Sequence, residues 1–105
     1  MTPYRGTATG KEELNGGSGG TFRAIEFHNT TAAVAWVQVF NKPSASVTLA
    51  TDPPLQSYAL DANQIRTIHL PKKGWILNGT GITIAGTTTR NGSTGAAVEY
   101  NILMD

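Results

Sequence analysis

The sequence predicts a small all-β protein: an antiparallel β-sandwich or jelly-roll-like domain with a flexible, glycine-rich N-terminal arm. From residue 22 onward, apolar residues alternate with polar ones at the period of two that is typical of strands. Turn residues such as Asn-Gly and Pro interrupt this pattern at short intervals, as they do in sandwiches. No stretch as long as about eleven residues keeps an apolar stripe at helical spacing.

The first part of the chain predicts an arm. It contains Gly10, Gly16, Gly17, Gly19 and Gly20, and we find no apolar periodicity of helix or strand type in it. We therefore divide the chain into a flexible arm at 1–21 and a sandwich domain at 22–105. The arm is either a tail without a role or a segment that becomes ordered on binding.

The alternating segments predict about six to eight short strands, as expected for a sandwich of this size. Their expected positions are 22–28, 33–40, 46–49, 55–60, 64–70, 75–77, 81–85 and 96–104. Turns with Pro, Asn, Asp and Gly separate them because these residues favour turn conformations or interrupt the hydrogen bonds of a sheet.

The segment 33–40 differs from the other strands because it is apolar on both faces, with Gln38 as the exception. An antiparallel sandwich usually exposes one face of each strand to water. Something is therefore expected to cover the second side: the arm, a long loop of the same chain, or another subunit. The last possibility is common in small domains and predicts a homo-oligomer.

The composition excludes several function classes. Charged residues make up 14% of the chain and the formal net charge is +1, which gives no basis for binding nucleic acid or an anionic membrane. The absence of cysteine excludes disulfides and thiolate chemistry. No apolar run is long enough for a membrane span or a signal peptide, so we expect synthesis in a cytoplasm.

The residues that carry catalysis are sparse. His28 and His69 are the only histidines, and the seven carboxylates form no metal-binding or paired-carboxylate pattern. His69 is expected to be an exposed or interface residue. The Gly79-Thr80-Gly81 segment resembles a phosphate loop, but no helix follows it, so a hairpin turn is expected. We predict no enzyme activity and no cofactor, with a hydrolase as the most remote alternative.

Five residues are predicted to contact a partner. Tyr4 and Arg5 lie beyond the glycines and belong to residue types enriched in binding hot spots. Lys72 and Lys73 form a basic pair beside Trp75, the more exposed candidate of the two tryptophans. Because sugar-binding sandwiches use exposed aromatic rings for stacking, Trp75 supports a carbohydrate-binding module as an alternative function, although its ring could also belong to the core.

Three segments resemble small β-sandwich proteins encoded by tailed bacteriophages. They are 27–41 (FHNTTAAVAWVQVFN), 51–55 (TDPPL) and 74–89 (GWILNGTGITIAGTTT). The resemblance spans about residues 22–103, is a pattern of strand and turn residues without a catalytic motif, and does not include the arm.

The resemblance implies a virion component made in the cytoplasm of a bacterial host. Head decoration or cement proteins of this kind sit on the capsid as trimers, so the partners expected are further copies of the chain and the major capsid protein. Similar sandwiches serve in tails, necks and baseplates, and a structural protein at one of those positions is the first alternative.

Overall fold

The structure is a computed structural model that describes residues 2–14 and 18–105. Within these residues it contains nine strands and one short 3-10 helix at Ser44–Ser46. The strands are β1 (Thr2–Ala8), β2 (Gly10–Leu14), β3 (Gly20–Asn29), β4 (Ala35–Phe40), β5 (Gln56–Leu60), β6 (Ile65–Ile68), β7 (Trp75–Leu77), β8 (Ile82–Thr87) and β9 (Val98–Met104).

The strands form two antiparallel sheets, so the predicted fold class is confirmed. The first sheet has the order β1-β9-β3-β6, with β7 also pairing with β3. The second sheet has the order β2-β8-β4-β5. At one side of the sandwich, β1 is the edge strand of the first sheet and β2 is the edge strand of the second. At the other side, β6 and β5 are the corresponding edge strands. The chain therefore passes between the sheets at both sides of the sandwich.

The core lies between the two sheets and follows from the alternation of side chains along the strands. In β9, Val98, Tyr100, Ile102 and Met104 point inward and are buried, while the residues between them point outward. Strands of both sheets contribute the other buried side chains of the core, among them Phe22, Ile25, Phe27, Val37, Val39, Leu60, Ile82 and Ile84.

The predicted boundary of the arm differs from the structure. Thr2–Ala8 pairs with β9 as an edge strand of the first sheet, and Gly10–Leu14 pairs with β8 as an edge strand of the second. Ala8 and Leu14 are buried in the core. Residues 2–14 thus belong to the sandwich, while Gly16 and Gly17 of the predicted arm lie outside the described residues.

The predicted strand at 46–49 is wrong. The chain instead forms the 3-10 helix at Ser44–Ser46, and the side chain of Val47, which follows the helix, is buried. Val47 packs with Phe40 and Ala85 in a small apolar cluster on the outer side of the second sheet. The apolar residues of 46–49 therefore belong to a loop that covers the sheet. The period-two pattern cannot distinguish such a loop from a strand.

Two loops of the same chain cover the outer face of β4. The loop 43–55 lies over Phe40 and is attached to β2 by Lys11 Nζ, which donates to the carbonyl oxygens of Ser44 and Val47 at 3.0 and 2.7 Å. The loop 88–95 lies over Gln38, whose Nε2 donates to the Gly92 carbonyl oxygen at 3.1 Å. These two loops are the cover expected for the second face of segment 33–40, so its apolar residues do not require another subunit.

Candidate functional site

The outer face of the first sheet is not covered by any segment of the described chain. Strand pairing aligns its outward side chains in rows across β1, β9, β3 and β6. We call this surface the bare face and define it by eight residues. They are Arg5, Thr7, Glu26, His28, Ile65, Thr67, Glu99 and Asn101.

The bare face carries a mixed polar surface held by side-chain contacts between neighbouring strands. Arg5 Nε donates to Asn101 Oδ1 at 3.2 Å, and His28 Nδ1 lies 2.9 Å from Glu99 Oε1. Ile65 has 61% of its surface exposed beside them. A shallow depression of about 390 Å³ runs along these rows. The surface can therefore make hydrogen bonds and one apolar contact with a partner.

A second exposed feature, the aromatic cleft, lies at the edge of the sandwich where β5 faces the segment from β6 to β7. Its volume is about 400 Å³, within the range of small-ligand sites. The residues that line it are Leu55, Gln56, Tyr58, His69, Leu70, Pro71 and Trp75. The cleft is therefore predominantly apolar, with a few polar groups among the rings.

Core packing holds the two aromatic rings of the cleft. The ring of Trp75 packs edge-to-face against Phe22, with centroids 5.5 Å apart. Tyr58 contacts Phe27 at 6.1 Å, and the Arg66 guanidinium lies 5.5 Å from the Tyr58 ring centroid. Burial raises the pKa of Tyr58, with Arg66 acting in the opposite direction. Tyr58 is therefore a neutral hydroxyl at physiological pH.

The structure separates the five predicted contact residues into two groups. Lys72 and Lys73 are exposed at the tip of a turn closed by the Gly74 amide, which donates to the Pro71 carbonyl, and Trp75 follows in the cleft wall. Tyr4 and Arg5 lie on β1, across β9 and β3 from these three.

The two residues of β1 have different environments. Arg5 belongs to the bare face, whereas Tyr4 is half-buried and packs against the core. The expectation of a Tyr4 anchor at the end of a free arm therefore does not fit its position. The strand alternation that directs Arg5 outward directs its neighbour inward.

Sequence reasoning missed several residues of both surfaces. Gln56, Leu70 and Pro71 reach the cleft from separate elements, and only the pairing of the sheets brings them to Tyr58 and Trp75. Two outward residues of the bare face, Glu99 and Asn101, could have been found from the alternation in 96–104, which separates them from the core positions. What the alternation cannot show is that this face lacks a covering loop.

The described residues contain no group of three or more His, Cys, Asp or Glu side chains placed to hold a metal ion. The described part of the chain also has no helix long and apolar enough to cross a membrane. In comparisons with known proteins, no family model, curated protein or solved structure matches this chain.

Proposed function

We propose that the protein is a structural component of a tailed-phage virion, a head decoration or cement protein that binds the assembled capsid through its bare face. Two lines of argument support this proposal. The first is the resemblance of segments 27–41, 51–55 and 74–89 to small phage β-sandwich proteins. The second is the difference between the outer faces of the two sheets.

The observation that carries the proposal is this difference. The second sheet has its outer residues Gln38 and Phe40 buried under loops 88–95 and 43–55. The first sheet has its outer residues exposed across β1, β9, β3 and β6, without a covering loop in the described chain. A broad face that stays open while its counterpart is covered is a suitable surface for another protein.

The chemistry of the bare face suits a contact made in many copies. Glu26, Glu99 and Arg5 place charges of both signs on it, and Thr7 and Thr67 add hydroxyls at the rows between them. Such a mixed face suits a modest contact with a partner whose charges complement it. A protein that binds only the assembled shell stabilises that state by mass action, and symmetric copies multiply the effect.

A homotrimer remains part of the proposal, on the resemblance alone. The two apolar faces of segment 33–40 no longer support an oligomer, because loops of the same chain cover the outer one. A structural role in the tail, neck or baseplate uses the same bare face and is the first alternative. The carbohydrate-binding alternative concerns a different surface, the aromatic cleft.

The experiment is co-sedimentation with heads of the phage that encodes the protein, after its own copies have been removed. The T7R/T67R double variant places two long side chains on the bare face, beside Glu99 and Glu26 respectively. We expect it to weaken binding by about tenfold or more, equivalent to about 1.4 kcal/mol. Circular dichroism checks that the variant is folded.

The matched control is T51R/S93R, which adds the same two side chains at exposed positions in the two covering loops. We expect this variant to bind heads as the unmodified protein does. Equal binding by both double variants would show that the bare face is not the contact. Sedimentation of the unmodified protein with tails, and not with heads, would favour the first alternative.

A further inference from the structure

The aromatic cleft contains polar groups without partners. Within the described residues, the side chains of Gln56, Tyr58, His69 and Trp75 form no hydrogen bond with the rest of the protein. Gln56 and His69 are exposed, whereas Tyr58 and Trp75 are half-buried. Four unpaired groups that converge on one cleft are typical of a ligand site.

The arrangement of the cleft favours a saccharide ring. The Trp75 ring, Leu70 and Pro71 form an apolar wall. Sugar rings present apolar C–H faces that pack on such walls, and their hydroxyls lie at the rim. The Tyr58 hydroxyl and the His69 imidazole are in position to exchange hydrogen bonds with that rim, because each can donate as well as accept.

The charged side chains nearest to the cleft in the chain are basic. None of its lining residues is acidic, and Lys72 and Lys73 project from the turn whose two ends, Pro71 and Trp75, form part of the wall. Neither lysine has an ion pair within the described residues. An adjoining groove, which shares Gln56, Tyr58 and His69 with the cleft, adds Arg66 and extends to Thr67 at the margin of the bare face. Charge complementarity therefore favours a ligand with a carboxylate.

We propose that the aromatic cleft binds an acidic saccharide. One sugar ring packs on Trp75, Tyr58 and His69 hydrogen-bond its hydroxyls, and its carboxylate lies against Lys72 and Lys73. This site is separate from the bare face, so it goes beyond the proposed virion role and does not depend on it.

The test uses the fluorescence of Trp75. The protein has two tryptophans, so the exchange W36F leaves Trp75 as the only one. The probes are oligogalacturonate, oligoguluronate and oligoglucuronate, each paired with its methyl ester, which keeps the sugar and removes the charge. We expect saturable changes in emission with at least one acid below about 10 mM, the range of weak single-site binding.

Two results with these probes would overturn the proposal. One is no saturable response to any of the three acids up to that concentration. The other is equal binding of an acid and its methyl ester, because the lysines would then have no part in recognition. Calorimetric titration with the unmodified protein provides the same comparison without the W36F exchange.

Variants locate the site. K72Q/K73Q should weaken binding of the acid by about tenfold and leave the methyl ester unaffected, since each charge-assisted contact is lost. Y58F removes only the hydroxyl and should weaken the binding of both probes by about fivefold.

The control I76A changes a side chain on β7 that is 63% exposed on the side opposite to Trp75, and it should have no effect on binding. Unchanged binding in K72Q/K73Q would overturn the assignment.

Discussion

The hydroxyl of Tyr100 donates a 2.5 Å hydrogen bond to a carboxylate oxygen of Glu12. The two residues lie in different sheets, Tyr100 on β9 and Glu12 on β2, so this bond joins the sheets beside the first two strands. Gly6 on β1 makes the geometry possible, because a Cβ there would lie 2.6 Å from the Tyr100 hydroxyl oxygen. The contact of three strands at one tyrosine fixes residues 2–14 to the sandwich.

The first prediction is that Y100F destabilises the protein by about 1.5–3 kcal/mol, the range for a hydrogen bond to a charged group. The ring stays in the core and only the donor is lost, so the fold is retained. Urea unfolding followed by tryptophan fluorescence measures the change. The control E99Q, on the same strand but on the outer side, should stay within about 0.5 kcal/mol of the unmodified protein.

The same tyrosine predicts the alkaline limit of stability. Burial, together with the hydrogen bond and the charge of Glu12, raises the pKa of Tyr100 above its ordinary value of 10.0. A pKa that is higher in the folded state favours the folded protein fully below about pH 10, and this contribution is lost as the pH rises through the folded pKa. Unfolding measured between neutral and strongly alkaline pH should show a steeper loss for the unmodified protein than for Y100F.

The third prediction concerns the N-terminal strands. Removal of residues 2–14 takes away one edge strand of each sheet and the buried side chains of Ala8 and Leu14, so the remaining chain should not fold. The smaller change L14A should cost about 2–5 kcal/mol through the cavity it leaves. Near-ultraviolet circular dichroism and urea unfolding check both variants. A truncated chain that folds normally would restore the interpretation of this segment as a separate arm.

The difference between sequence and structure at these strands has a physical reason. The inward positions of β1 are Tyr4, Gly6 and Ala8, and the middle one has no side chain because the Tyr100 ring occupies its space. The period-two signal is therefore weak where the packing is closest. From β3 onward most inward positions carry an apolar side chain, with exceptions such as Asn29 and Gly86, so the sequence pattern is enough to predict the sandwich.

The sites were less accessible to sequence reasoning. Trp75 could be named from its residue type and its neighbours, Lys72 and Lys73. Tyr58 and His69 lie on other elements, and their approach to Trp75 depends on how β5 faces the segment between β6 and β7. β5 and β6 belong to different sheets, so this approach depends on how the two sheets pack, which the pattern within a single strand does not determine.

The fourth prediction concerns the loop over β4. Gln38 Nε2 donates to Thr87 Oγ1 at 2.9 Å and to the Gly92 carbonyl oxygen, which holds loop 88–95 on the sheet. Q38A removes both bonds, so the loop should open more often. Trypsin cleavage after Arg90, which lies in this loop, should become faster. T94A keeps the side chain of Gln38 and serves as the control; equal cleavage of the two variants would mean that other contacts hold the loop.

The fifth prediction concerns the loop over Phe40. The Thr48 amide donates to Asp52 Oδ2 at 2.7 Å and lowers the pKa of Asp52 below 3.8; burial acts against this, and Lys42 at 3.4 Å adds to it. A lowered pKa means that the stabilising contact is present above about pH 4 and is lost as the pH falls through the folded value. In nuclear magnetic resonance spectra, the Thr48 amide signal should therefore titrate with a midpoint below pH 3.8. D52N should abolish this titration while the amide signals of β9 remain unchanged, and a midpoint above the ordinary value would contradict the contact.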